Sequence, residues 1–467
     1  MASTALRIRT SLLIGAATGT MIAAALMPPR RTTANQSVVS DPISDTADDG
    51  MMVKARFVTS RILPSEQTQN LAITITAPSS TTETARPPVS LAIVIDRSGS
   101  MHGAPIENAK AAALTALRQL APSDAFSVIT YSSSSEIVLP IQAASDANKA
   151  AARAAIESIY DDGGTCISCG LENGAAELGH TPVRGLRRIL LISDGQANEG
   201  LYDRNELAQL AANKAARGVS ISTVGVGLDF DEATMRRLAE VGRGNYYFVE
   251  DTVALSTMFN HELGSLSQTV ATDIRLVVTP KYPRVEIRDV YGYPMVKQGD
   301  SVIIPIADLR AGETRKVVLG VKVDVPFDPG VLNPYVVTPI ANLDVGWHRV
   351  PDDLQRAAHT TVIADFSAAT DAELAASADP EVAAIIEQAL SARALEQAAT
   401  AYEKDGLDGA RRVLEQRSQE VHAKARVLGE AKVLELDAAT SETLEGFARA
   451  PEQAKKATSV RAYRLAR

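Results

Sequence analysis

The sequence predicts an α/β protein centred on a doubly wound, mostly parallel sheet, flanked by or inserted in a β-sandwich, with a C-terminal helical hairpin. Three observations carry that prediction. Strand-like and helix-like segments alternate from residue 91 to residue 266, as a parallel sheet with helices on both faces requires. Two of the strands, 91–95 and 188–193, are apolar runs that lead into an acid, Asp96 and Asp194. A run without alternation marks a strand covered on both faces. On either side of this region, at 53–77 and 272–325, shorter runs alternate apolar and polar residues between turn residues, the pattern of half-exposed strands.

In chain order, Arg7 and Arg9 precede an apolar stretch at 11–27, closed by Pro28, Pro29, Arg30 and Arg31. A charged segment followed by an apolar one reads as a signal peptide or membrane anchor over 1–31. Ala23, Ala24 and Ala25 offer a small-residue cleavage site, and basic residues on both flanks leave cleavage and anchoring open. Residues 32–52 are polar and read as a linker. Residues 53–87 supply the N-terminal strands of the sandwich, ending in a Ser/Thr/Pro-rich stretch.

The central domain spans 88–269. Its expected order is strand 91–95, helix 105–120, strand 126–131 and an antiparallel edge partner at 136–139. Helices at 148–159 and 167–178 follow, then strand 188–193, helix 204–217 and strand 219–225. Helix 231–241, strand 246–249 and a closing helix at 253–266 complete it. Residues 270–366 carry further strands, which can close one sandwich with those before residue 78 or form an unrelated β piece. The helical region, 367–450, contains two helices joined at Asp405-Gly406, an antiparallel pair resembling one tetratricopeptide-like unit. Residues 451–467 read as a basic, frayed tail.

With 467 residues and ordinary apolar content, the chain can bury a sizeable core. A net charge of −9 argues against nucleic acid or an anionic membrane as the main partner. Two cysteines do not make a disulfide-dense module.

The chemistry gathers on three loops. Asp96, Ser98 and Ser100 occupy alternate positions after a strand's carboxyl end, where open α/β sheets place ligands. One carboxylate and two hydroxyls that converge suit a hard cation such as Mg²⁺. The same triplet also reads as an Asp N-cap followed by a polar turn. Asp162-Gly-Gly-Thr165 places a threonine just before a helix, and Ser193-Asp194-Gly195 closes a second apolar strand.

Asp-x-Ser-x-Ser, a later Gly-Gly-Thr and a strand ending Ser-Asp-Gly together resemble a von Willebrand factor type A domain with a metal-ion-dependent adhesion site. The resemblance covers residues 88–267. It implies a Rossmann-like domain holding a divalent cation, Mg²⁺ or else Mn²⁺ or Ca²⁺, on Asp96, Ser98, Ser100, Thr165 and Asp194. The open coordination position is then filled by an exposed Asp or Glu of a protein partner. Together with the targeting reading of residues 1–31, the resemblance implies an exported, non-enzymatic adhesion module of the periplasm or cell envelope, soluble after cleavage or anchored. Arg97, Met101 and His102 are expected on the rim, with Asn198, Glu199 and Tyr202 as weaker rim candidates.

Cys166 and Cys169 depart from the family pattern. Cys-x-x-Cys at a helix start is close enough for a disulfide, which an oxidising compartment favours. A redox role is open too, because a helix N-terminus lowers a thiol pKa. Two other functions therefore stand beside adhesion: a thiol-disulfide protein using this pair, and a metal-dependent hydrolase using the cation.

Overall fold

The computed structural model describes residues 45–46, 50–59, 61, 67–79, 87–181, 183, 185–194, 196–227, 230–249, 268–281, 284–323, 337–350, 352–366 and 369–466. The segment at 1–31, most of the 32–52 linker and the closing helix at 253–266 lie outside them. In chain order the strands are β1 (Asp45–Thr46), β2 (Met52–Phe57) and β3 (Gln67–Thr76). β4 (Val89–Asp96), β5 (Ala125–Tyr131), β6 (Ser135–Ala143), β7 (Leu186–Ser193), β8 (Val219–Val226) and β9 (Arg243–Val249) follow. Then come β10 (Thr269–Pro280), β11 (Val285–Tyr291), β12 (Val296–Gln298), β13 (Ser301–Ile306), β14 (Leu309–Arg310), β15 (Thr314–Val323), β16 (Val337–Arg349) and β17 (Leu354–Asp365). The helices among β4–β9 are α1 (Ala104–Gln119), α2 (Asp146–Glu157), α3 (Ile167–Gly179), α4 (Arg204–Ala216) and α5 (Glu232–Val241).

β4–β9 form one six-stranded sheet in the order β6-β5-β4-β7-β8-β9. Every pairing is parallel except that of the edge strand β6 with β5. All eight residues of β4 are buried, which explains its unbroken apolar run. Leu91, Ile93 and Ile95 pack with Ala109, Ala113 and Leu117 of α1 and Ile156 of α2. Ala92 and Val94 point to the other face, against Leu171 and Leu178 of α3, Leu207 of α4 and Leu238 of α5. Each Leu, Ile or Val side chain so buried is worth roughly 1.5–3 kcal/mol. Helix α3 lies unusually close to the sheet, because a Cβ at Gly170 would stand 2.7 Å from the Tyr131 ring.

The flanking strands form two further sheets, β1-β2-β3-β15-β11 and β12-β13-β10-β16-β17, with β14 paired to β10. They share one core that mixes Val53, Ile73 and Ile75 with Leu276, Ile304, Val345 and Trp347. β3 and β15 pair antiparallel from Thr76↔Thr314 to Gln67↔Val323. The chain thus leaves the first sheet at β3, builds the α/β domain, enters the second sheet at β10, and comes back beside β3 only with β15. The domain is inserted in a sandwich, and the reading as unrelated β pieces falls.

The helix Pro380–Ala423 breaks at Gly406, whose φ of 66° is open to glycine at little cost. Its halves fold back on each other, with Arg417 Nε donating to Ser391 Oγ at 3.0 Å and a buried ion pair between Arg417 and Glu387. Val382, Ile386 and Ala389 seat the first half on Ala72 and Val318 of the sandwich. Among the described residues no helix is long and apolar enough to cross a membrane.

The frayed tail is a correction. After the helix Glu430–Arg449, residues Pro451–Leu465 form another helix, docked on α5 and β9. Tyr463 donates its hydroxyl to the Gly244 carbonyl at 2.9 Å and meets Tyr246 edge-on. Lys456 is buried, bonded to Glu232 Oε2 at 2.6 Å and to the Phe230 carbonyl. The tail's basic residues read as a solvated run because the acids that receive them lie outside it, Glu232 at 224 residues from Lys456.

Removing one partner of a buried ion pair leaves a charge uncompensated. Lys456→Ala is therefore expected to cost about 3 kcal/mol in denaturant unfolding. The folded pKa of Glu232 lies below its ordinary value: burial raises it, but the Lys456 and Lys455 contacts outweigh burial. A depressed carboxylate contributes stability above its unfolded pKa, and that contribution is lost as pH falls through the folded value. The deficit of Lys456→Ala should accordingly shrink at strongly acidic pH, and a deficit that does not change with pH would refute the ion-pair account.

Candidate functional site

Asp96 ends β4 in register with Tyr131 at the end of β5. Its carboxylate is fully buried and both oxygens accept from protein donors. Ser98 N–H donates to Oδ1 at 2.9 Å, while Ser193 Oγ and the Tyr131 hydroxyl donate to Oδ2 at 2.6 and 3.2 Å. Asp194, also buried, follows β7 and accepts from Gln196 N–H at 3.3 Å. Burial, and next the charge of Asp194, push the Asp96 carboxyl up to about 6, against the hydrogen bonds from Ser193 and Ser98.

The loop after Asp96 makes a single 3-10 turn, Gly99–Met101. Ser98 is buried and Ser100 is exposed, with their hydroxyl oxygens 3.1 Å apart. Backbone bonds stitch this loop to the one bearing Thr165: Gly99 N–H to the Gly163 carbonyl at 3.0 Å, and Asp162 N–H to the Arg97 carbonyl at 2.7 Å. Gly163, at φ 83°, takes a turn that a β-substituted residue adopts only under strain. Thr165 is buried and clamped by the third loop. Its N–H donates to Asn198 Oδ1 at 2.8 Å, and its carbonyl accepts from Asn198 N and Glu199 N at 3.1 and 3.2 Å. The two acids and three hydroxyl residues thus lie on mutually bonded loops at one edge of the sheet.

Of the expected rim residues, Arg97 and His102 stand at the surface. Arg97 lies 5.7 Å from the centroid of the exposed Tyr160 ring, and His102 Nδ1 lies 3.1 Å from Asp161 Oδ2. Met101 does not. It is 0 % exposed and packs in the core of the α/β domain, because the 3-10 turn folds its apolar side chain inward. Tyr202 is exposed beside Leu201 on the third loop. Cys166 and Cys169 are joined as a disulfide across the start of α3.

Sequence reasoning missed two holders of the site, Tyr131 and Ser193 on Asp96, and placed Asn198 on the rim, where it instead clamps Thr165. Ser193 stands inside the Ser-Asp-Gly motif. Tyr131 could have been found as the polar end of the strand beside β4. Asn198 is expected on the loop after Asp194, but nothing local names Thr165, 33 residues before it, as its partner.

The donor set is a mixed one. Among the described residues no three His, Cys, Asp or Glu side chains gather as a metal cluster, so a cation here would depend on hydroxyls. Two carboxylates and three hydroxyls are all hard oxygen donors, which fit Mg²⁺, Mn²⁺ or Ca²⁺. Asp96 already accepts three protein hydrogen bonds, which suits it to orienting the hydroxyls more than to direct ligation.

An inserted α/β domain with its polar loops gathered at the carboxyl edge of the sheet is the class that the geometry defines. Residues 90–261 match the family model of the von Willebrand factor type A domain, and the chain carries a domain of that family. Such domains typically mediate protein interactions and commonly bind a divalent metal. The uncharacterized protein YfbK of Escherichia coli K12 is 32% identical over 194 residues, 40% of this chain and 33% of that protein. The inter-alpha-trypsin inhibitor heavy chain H2 of Sus scrofa is 26% identical over 229 residues, 46% of this chain and 24% of its own length. The chain therefore spans a third or less of these two relatives. Among solved structures, a von Willebrand factor type A protein from Catenulispora acidiphila superposes with a TM-score of 0.60 at 18% identity, covering 86% of this chain and 97% of that one. The ArnB paralog VWA2 from Sulfolobus acidocaldarius gives 0.56 at 14%, covering 89% and 99%. These two show the fold of nearly the whole chain.

With no cation bound, Asp96 and Asp194 repel at close quarters. A buried carboxyl whose folded pKa exceeds its unfolded value costs nothing below the unfolded value, near 4, and its cost grows as pH rises to about 6. Chelated protein is expected to lose about 3 kcal/mol of stability between pH 4 and pH 7 from this group. Asp96→Asn should flatten that slope in urea unfolding, and an unchanged slope would show that another group sets it.

Proposed function

We propose that the loop cluster holds one divalent cation on Asp96, Ser98, Ser100, Thr165 and Asp194, and presents it to an acidic side chain of a protein partner. The observation that carries this reading is the fixed convergence of two buried acids and three hydroxyl residues on loops bonded to one another. A bound cation would supply a positive centre that attracts an external Asp or Glu. The chain's own residues do the rest. Ser98, Ser100 and Thr165 offer neutral oxygens. Asp194 supplies negative charge and Asp96 fixes the Ser98 loop through its N–H. Arg97, Tyr160 and Tyr202 surround the cluster and are the surface that a partner would meet.

The same reading makes the protein an exported, non-enzymatic module of the periplasm or envelope, directed there by residues 1–31. The disulfide between Cys166 and Cys169 supports an oxidising compartment. It also braces the segment that follows Thr165.

Titration calorimetry with MgCl₂ should report one site per chain, and saturation at a hundredfold excess over Kd should add about 2.7 kcal/mol of stability. Asp96→Ala and Thr165→Ala should each abolish the heat while circular dichroism stays native. Capture of partner protein from envelope extract should require Mg²⁺ and disappear with chelator. Cation binding that survives both substitutions would place the ion elsewhere, and capture indifferent to chelator would remove the metal bridge.

A further inference from the structure

A second polar site lies at the junction of the α/β domain, the sandwich and the terminal helix. It is a cavity of about 230 Å³. That is below the range of drug-sized ligand pockets and suits a small ion. Five guanidiniums line it, from Arg188, Arg243, Arg310, Arg315 and Arg464, against two carboxylates, Asp308 and Glu313. The carboxylates are spoken for: Asp308 pairs with Arg188 at 2.8 Å, and Glu313 with Arg310 and Arg315 at 3.0 and 2.9 Å. Asp273, outside the lining, pairs with Arg243, and an excess of positive charge remains.

Donors also remain. The Arg243 side chain is 9% exposed, and its Nε is buried with no hydrogen-bond partner. The Nε of Arg315 is likewise buried and unpartnered. Buried N–H groups are rarely left unpaired, and each such group calls for an explanation. Arg464, exposed at the pocket, has no ion pair or hydrogen bond among the described residues. Arg243 also holds a left-handed backbone, φ 57°, which an L side chain adopts at a cost. Burial and the neighbouring Arg275 pull its pKa down to about 10, so it stays charged at neutral pH.

From these donors we propose that the junction pocket binds a small multivalent oxyanion of the phosphate class. Forked guanidinium donors match tetrahedral oxyanions better than a point charge does. The ion would accept from Arg243 and Arg315, meet Arg464 at the pocket, and tie β9, β15 and the terminal helix together. The site lies on the strand-start side of the central sheet, at Arg188 and Arg243, so it is independent of the cation cluster.

The test uses the full chain in EDTA, so that phosphate cannot act through a divalent ion. Inorganic phosphate should give a saturable one-site isotherm and raise Tm by about 1.5 °C at tenfold excess over Kd, with sodium chloride at equal ionic strength giving neither. Arg464→Gln and Arg315→Gln should each weaken phosphate about tenfold. Arg411→Gln, an exposed arginine on the C-terminal helices, should leave it unchanged. Arg464 has no protein partner to lose, so its variant should fold even if Arg315→Gln does not. Chloride matching phosphate, affinity unmoved by Arg464→Gln and Arg315→Gln, or succinate binding where phosphate does not, would each overturn the proposal.

Discussion

The buried carboxylate of Asp96 is the constraint around which the functional edge is arranged. An ionisable group at the end of a fully covered strand loses its water, and the nearby Asp194 charge adds to the cost. Ser98 N–H, Ser193 Oγ and the Tyr131 hydroxyl offset part of it, and each comes from a different segment. Satisfying one carboxylate therefore fixes the loop after β4 and the ends of β5 and β7 together. Small residues let the loops close in. A Cβ at Gly164 would stand 2.8 Å from Glu199 Cγ, and one at Gly200 would stand 2.5 Å from Cys166 Sγ. Close approach and hydrogen bonding here are parts of the same requirement.

The insertion explains why this edge is the one left to solvent. The α/β domain is tethered at the opposite side, where the Arg188 guanidinium reaches Asp308 in the sandwich at 2.8 Å. Arg188 also donates to Ser220 and Ser222 Oγ, so its guanidinium bonds strands of both units. A buried pair of this kind adds little net stability over an apolar contact, yet losing one partner is costly, which favours a single relative placement. The terminal helix secures the edge strand β9 and helix α5 in the same way, through Tyr463 and Lys456. With the strand starts held, the edge at the strand ends carries the loops that bear Asp96, Thr165 and Asp194.

How much of this could be read from the sequence depends on the range of each interaction. The covered strands were legible because burial on both faces writes itself into consecutive residues, as in 91–95. The triplet Asp96, Ser98, Ser100 was legible because its members share one loop. Strand pairing across 238 residues, Thr76 with Thr314, was not, since the alternation of each strand names no partner. The tail failed for a related reason: Lys455 and Lys456 read as solvated charges until Glu232 and Glu403 stand beside them. Met101 failed at shorter range. Its place between Ser100 and His102 suggested a rim, but a 3-10 turn moves successive side chains by about a third of a revolution and sent the apolar one inward.

On the proposed reading, the balance of charge decides what the site can grip. Two carboxylates would offset a divalent ion formally, but Asp96 already shares its charge with three protein donors. Hydroxyls contribute oxygen lone pairs and no charge, so the centre would stay attractive to an external acid. Without the ion the sign reverses, because an incoming carboxylate would meet Asp194 and Asp96 at short range. The surroundings amplify either state. Tyr160, Leu201 and Tyr202 present exposed apolar surface on the loops around the cluster, and a ring of such contacts excludes water from a central charged pair. The Coulomb term then acts in a lower dielectric than at an open surface. A partner suited to this edge would thus carry an acid projecting from apolar or aromatic neighbours, because a wholly polar surface would meet the charge and leave the rim wet.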